Sequence, residues 1–164
     1  MPSVARLLIV WHSATGGSEA MAQAAVSGAG GAVTVTCKRA GEAGAADLLA
    51  ADSYIFICPE NLASMAGVMK DFFDRTYYPA LGKIEGRPYA LMICAGSDGE
   101  GTARQIARIA TGWRLRAVAE PLIICTHAQT PEAILALKVI AEADLAKCRD
   151  LGGAMAQGLA MGIF

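Results

Sequence analysis

The chain has 164 residues and a formal net charge of -1, from 14 Lys+Arg against 15 Asp+Glu. That length suits one domain, residues 1–164, with a full core, and so small a charge makes no case for nucleic acid or an anionic membrane as partner. Apolar residues reach 54% and charged ones only 18%, which excludes disorder. No uninterrupted apolar run approaches the ~20 residues of a membrane span.

The N-terminal run from Leu7 to Trp11 is too short for a secretory signal before Ser13-Ala14-Thr15-Gly16-Gly17 interrupts it, and it reads as a buried strand. The five cysteines (Cys37, Cys58, Cys94, Cys125, Cys148) are an odd set without a CxxC pair. They read as free core thiols in a reducing cytoplasm, with no metal or disulfide role.

Near-continuous apolar stretches predict strands at Arg6–His12, Ala32–Lys38, Ser53–Cys58, Tyr89–Ala95 and Val118–Thr126. Helical patterns lie between them at Ser18–Ser27, Ala46–Ala51, Met65–Tyr77 and Thr102–Trp113. A last helix is predicted from Pro131 to about Leu151, with Ile134, Leu137, Val139, Ile140, Ala143 and Leu145 as its apolar stripe. The cluster Gly28-Ala29-Gly30-Gly31 follows a helix and reads as a turn. Strands alternating with helices give right-handed crossovers and an open parallel sheet covered on both faces. Ligands of such sheets bind outside the carboxyl ends of the strands, so the strand-to-helix loops carry the functional information.

The first of these loops, Ser13-Ala14-Thr15-Gly16-Gly17-Ser18, sets hydroxyls and glycines at a helix N-terminus. Unpaired N–H groups and the helix dipole make that a phosphate-binding arrangement. The plainer reading is a helix cap by Ser18 or Thr15. The loop lacks the lysine of a Walker A motif and the spacing of a dinucleotide fingerprint.

With strand, [ST]-x-T-G-x-[ST] and helix in that order, the chain resembles the flavodoxin superfamily. The stretch after the third strand, Cys58 to Asp74, carries Pro59, Met65, Gly67, Phe72, Phe73 and Asp74. It looks like the flavin-ring loop of the branch containing NAD(P)H-dependent FMN reductases and NAD(P)H:quinone oxidoreductases. Leu62 and Ala63 stand where that branch often has an aromatic residue and a glycine, and neither ring loop offers an aromatic to stack on the flavin. After the fourth strand, Cys94-Ala95-Gly96-Ser97-Asp98-Gly99-Glu100-Gly101 allows close approach to a flat ring.

The resemblance implies a flavodoxin-like three-layer α/β/α sandwich with a five-stranded parallel sheet in the order 2-1-3-4-5. It implies FMN, held at its phosphate by Ser13, Ala14, Thr15, Gly16, Gly17 and Ser18. Ring contacts would come from Pro59, Glu60, Asn61, Leu62, Ala63, Ser64, Cys94, Ala95, Gly96 and Gly99. Hydride from NAD(P)H would reach FMN N5 and pass to a small-molecule acceptor such as a quinone. The alternatives are a one-electron carrier flavodoxin and a flavodoxin-like protein that has lost FMN.

Asp98 and Glu100 would place negative charge beside the ring. His127 is the candidate proton donor to an acceptor. A rival reading pairs Ser97, as a nucleophile on a strand-to-helix turn, with His127 as base and Glu120 as acid. Arg104 and Arg108, on one helix face, could meet a nicotinamide-nucleotide phosphate. The apolar run Leu151 to Phe164, with Tyr77, Tyr78 and Trp113, predicts a subunit interface and hence a homo-oligomer.

Overall fold

A computed structural model describes residues 3–164. Its strands are β1 (Arg6–Trp11), β2 (Thr34–Arg39), β3 (Ser53–Asn61), β4 (Ser64–Met65), β5 (Pro88–Ala95), β6 (Arg116–Ala117) and β7 (Leu122–Cys125). Its helices are α1 (Gly17–Ala29), α2 (Ala45–Ala50), α3 (Gly67–Ala80), α4 (Glu100–Gly112), α5 (Pro131–Leu135) and α6 (Glu142–Ala160). The parallel sheet runs β2-β1-β3-β5, and β6 and β7 share the position beyond β5. Those five positions reproduce the predicted order. The fifth strand is broken instead of continuous over Val118–Thr126, because Pro121 has no N–H to give the ladder.

Both faces of the sheet are covered, which is why its strands read as apolar runs. One face is aromatic: Tyr54, Phe56, Phe72, Phe73, Tyr89 and Trp113 pack together. The other is built from small residues, with Ala22, Ala24 and Ala25 of α1 meeting Met155 and Ala156 of α6. A β-carbon on Gly28 would overlap the carbonyl oxygen of Arg149, and one on Gly152 the carbonyl oxygen of Ala25. Gly28 therefore lies inside α1, and its missing side chain lets two helix backbones touch. The predicted turn begins only after Ala29.

The same packing uses part of the run expected at a subunit interface, while Met161 and Ile163 at its end stay exposed. Cys148, Gly152, Met155, Ala156 and Gly158 of α6 are buried within the chain itself. Trp113 is fully buried, and its indole N–H donates to the Tyr77 carbonyl at 2.9 Å. Only Tyr78 of the named aromatics is strongly exposed.

Two further departures shape the site. The predicted loop after the third strand is a hairpin: β3 runs on to Asn61 and pairs antiparallel with β4. Its two turn residues, Leu62 (φ 51) and Ala63 (φ 64), are both left-handed. That is the two-residue hairpin turn normally made by Asn-Gly, and the left-handed region costs other residues roughly 1–2 kcal/mol each. The last helix is also interrupted. Thr130 caps the single turn of α5, and residues 136–141 then run without regular secondary structure before α6 begins. Tertiary contacts override the helical spacing here: Ile140 is buried, and the Lys138 N–H donates to the Thr15 carbonyl at 2.8 Å.

Candidate functional site

The carboxyl ends of β1, β3, β5 and β7 converge on a cavity of about 360 Å³, within the usual range of small-molecule sites. Thr15, the Pro59–Ala63 stretch, Cys94–Ser97, Thr126, Ala128, Ile134 and Lys138 line it. Three loops predicted separately thus meet in one place. Ser64 lies outside, lining a neighbouring hollow with Lys70, Gln105 and Arg108. Gly99 does not line the cavity either. His127 faces another groove, with Cys125, Leu137 and Asp144, so it does not share the cavity with Ser97. A serine hydrolase would need the two side chains in direct contact.

The phosphate loop is stiffened from within. Gly16 takes a left-handed conformation (φ 93) as the N-cap of α1, and its N–H donates to Ser13 Oγ at 2.9 Å. Neither Thr15 nor Ser18 caps the helix, because the cap position needs the backbone that glycine adopts most easily. Among the described residues, the Ser18 hydroxyl is buried without a hydrogen-bond partner. A β-carbon on Gly17 would sit 2.7 Å from Cys94 Sγ and 3.5 Å from Lys138 Cβ. Glycine at position 17 is required by the close approach of Cys94, and the orphan Ser18 hydroxyl at a helix N-terminus fits a phosphate group.

Glu60 has a role that sequence reasoning missed. Its carboxylate accepts from the Gly99 N–H at 2.9 Å, the Thr102 N–H at 3.2 Å and the Thr102 hydroxyl at 3.0 Å. It caps α4 from the end of β3, where the helix dipole favours a negative charge. The Gly99 N–H is therefore engaged by protein, and Gly101 lies under the hairpin tip near the Ala63 carbonyl. Gln105 Oε1 accepts from the Met65 N–H at 2.9 Å and the Ser64 hydroxyl at 3.1 Å. These contacts hold the strained turn over α4. The only advance signal was an acidic residue three positions before a small loop residue, which is too common to read.

Asp98 and Glu100 are exposed and lie outside the cavity lining, where the carboxylate present is that of Glu60. Burial raises the Cys94 thiol pKa, and the charge of Lys138 opposes part of that rise. Burial pushes Cys58 up to about 12. Both stay protonated and poorly nucleophilic at neutral pH. Burial lowers the pKa of His12, keeping its imidazole neutral there. No group of His, Cys, Asp and Glu among the described residues is arranged to hold a metal ion. Nor is any described helix long and apolar enough to cross a membrane.

Fold and site together define a flavodoxin-like protein. A flavodoxin from the domain Archaea is 19% identical, with a TM-score of 0.75 over 94% of this chain and 98% of that one. Oxidised flavodoxin 1 from Bacillus cereus is 16% identical, with a TM-score of 0.76 over 94% and 99%. The flavodoxin, WrbA-like protein from Agrobacterium tumefaciens is 20% identical, with a TM-score of 0.67 over 96% and 98%. No curated protein matches the chain. The model of the NADPH-dependent FMN reductase family matches residues 38–129, more than half of the chain. The chain belongs to that family and is an FMN flavoprotein. The matched segment contains both ring loops, whereas the phosphate loop and Lys138 lie outside it.

Proposed function

We propose that the protein is an NAD(P)H-dependent reductase that passes electrons through FMN to a small acceptor such as a quinone. One observation carries this reading beyond family membership. The cavity lining holds no Phe, Tyr or Trp, and Ala63, Ala95, Gly96 and Ala128 leave it shallow-sided. A flat donor or acceptor therefore has room against the ring that a stacked aromatic would otherwise fill.

FMN, when bound, supplies the hydride chemistry. The chain supplies position. The first turn of α1 and the Ser18 hydroxyl hold the phosphate, while the hairpin tip and the Ala95–Ser97 backbone flank the ring. Glu60, committed to α4, keeps its charge on the helix end and holds the two ring loops at a fixed spacing. No side chain in the cavity is required as an acid or base for hydride transfer itself.

The free thiols support a reducing cytoplasm as its location. Self-association remains part of the proposal, through the exposed Tyr78, Met161 and Ile163.

The test is anaerobic addition of NADPH, and separately NADH, to FMN-loaded protein. Bleaching of the yellow flavin, followed by recovery of colour on adding benzoquinone, is the expected result. A spectrum that dithionite bleaches but neither nicotinamide nucleotide changes would leave a one-electron carrier as the better reading. Protein that takes up no FMN would point to a member that has lost its cofactor.

A further inference from the structure

Residues 136–141 lie as a strap across the phosphate loop. The Lys138 N–H bonds the Thr15 carbonyl, Leu137 Cδ1 lies against Gly16, and Ile140 packs beside Gly17. We propose that Lys138 is a cofactor-binding residue, its ammonium supplying the positive charge that holds the FMN phosphate. The proposal rests on the FMN reading above.

Four observations converge on Lys138. Among the residues lining the cavity it is the only basic one, and it shares the cavity with Thr15 of the phosphate loop. Its ammonium donates to the carbonyls of Ile134 at 2.7 Å and Ala136 at 2.6 Å. Lysine carries three N–H donors, so those two bonds fix the head group and leave one donor free. The five ion pairs among the described residues involve Lys38, Lys70, Arg75, Lys147 and Arg149, and none involves Lys138. Glu60, the one acidic residue among those lining the cavity, is committed to α4.

The chemistry calls for such a charge. The phosphate loop offers only neutral donors and a helix dipole, worth less than a full cation against a phosphate dianion. Held by the strap, the cation comes from an element distant in sequence. The interruption of the predicted last helix acquires a purpose: a continuous helix from Pro131 would carry residue 138 on a helix face, without the bond to Thr15.

Equilibrium titration of apo-protein with FMN, and in parallel with riboflavin, which lacks the phosphate, tests this. Flavin fluorescence is read for wild type, Lys138→Gln and Lys138→Arg, with circular dichroism confirming the fold. Glutamine keeps donors for the two carbonyls and removes the charge. Lys138→Gln is expected to weaken FMN about ten- to thirtyfold, to leave riboflavin within about twofold, and to flatten the salt dependence of FMN affinity. Lys138→Arg should restore most of the FMN affinity.

Equal weakening of both flavins would show that Lys138 only packs the strap, and would overturn the proposal. Unchanged FMN affinity and salt dependence would overturn it too, leaving the FMN reading intact. Wild-type protein that binds neither flavin would overturn the FMN reading itself and the role of Lys138 with it.

Discussion

Gly152→Ala is expected to destabilise the protein by about 3 kcal/mol, although alanine is the better helix former by about 1 kcal/mol. The reason is the crossing of α1 and α6, where the Ala25 carbonyl oxygen occupies the place a β-carbon would need. That atom is helix backbone, so the overlap cannot be relieved by rotating a side chain. The helices must separate, and the layer of Met21, Ala25, Met155 and Ala156 loses its contact. Gly28→Ala should behave alike, since the Arg149 carbonyl faces it in the same way. Gly31→Ala is the control, with nothing within 4 Å of its β-carbon, and should stay within about 0.5 kcal/mol. Urea denaturation reads all three. A Gly152→Ala midpoint equal to wild type would mean that α1 and α6 do not touch backbone to backbone.

Glu60→Ala should cost about 2–4 kcal/mol and lower FMN affinity as well. The carboxylate satisfies three donors of Gly99 and Thr102, and Thr102 is fully buried. Without it those donors are stranded, at a cost above that of an ordinary hydrogen bond. Glu60→Gln keeps an acceptor but loses the charge at the helix end, so about half the effect is expected. Glu132→Ala, on the exposed α5, serves as the control and should be silent. Because Glu60 also ties the hairpin to α4, flavin binding should fall in the same order as stability. An unchanged denaturation midpoint for Glu60→Ala would show that the cap contributes nothing.

The strands of the sheet were legible because burial on both faces writes itself as apolar runs, as in Leu7–Trp11 and Pro88–Ala95, whereas their order came only from the family resemblance. The loop that opens α1 was legible for a local reason: hydroxyls and glycines directly after a strand. What stayed hidden depends on contacts distant in sequence. Leu62-Ala63 lacks the Asn-Gly signature of its turn, and only α4, through Gln105 and Gly101, holds the strained geometry. Ile134, Leu137 and Ile140 match helical spacing, yet Ile140 and Lys138 are drawn onto the phosphate loop.

Glycine misled in the same way. Gly28 reads as a turn former, whereas its partner is the Arg149 carbonyl far along the chain. The apolar excess noted at the outset also has a physical explanation. Alanine and glycine line a close helix crossing on one face of the sheet, and the aromatics are gathered on the other.

The central claim is that FMN occupies the cavity at the carboxyl ends of β1, β3, β5 and β7. Hydrogen exchange with and without FMN locates the site directly. Slowed exchange should be confined to Ser13–Ser18, Pro59–Ala63, Cys94–Ser97 and the strap around Lys138. Protection that falls elsewhere, or no change at saturating FMN, would contradict the account.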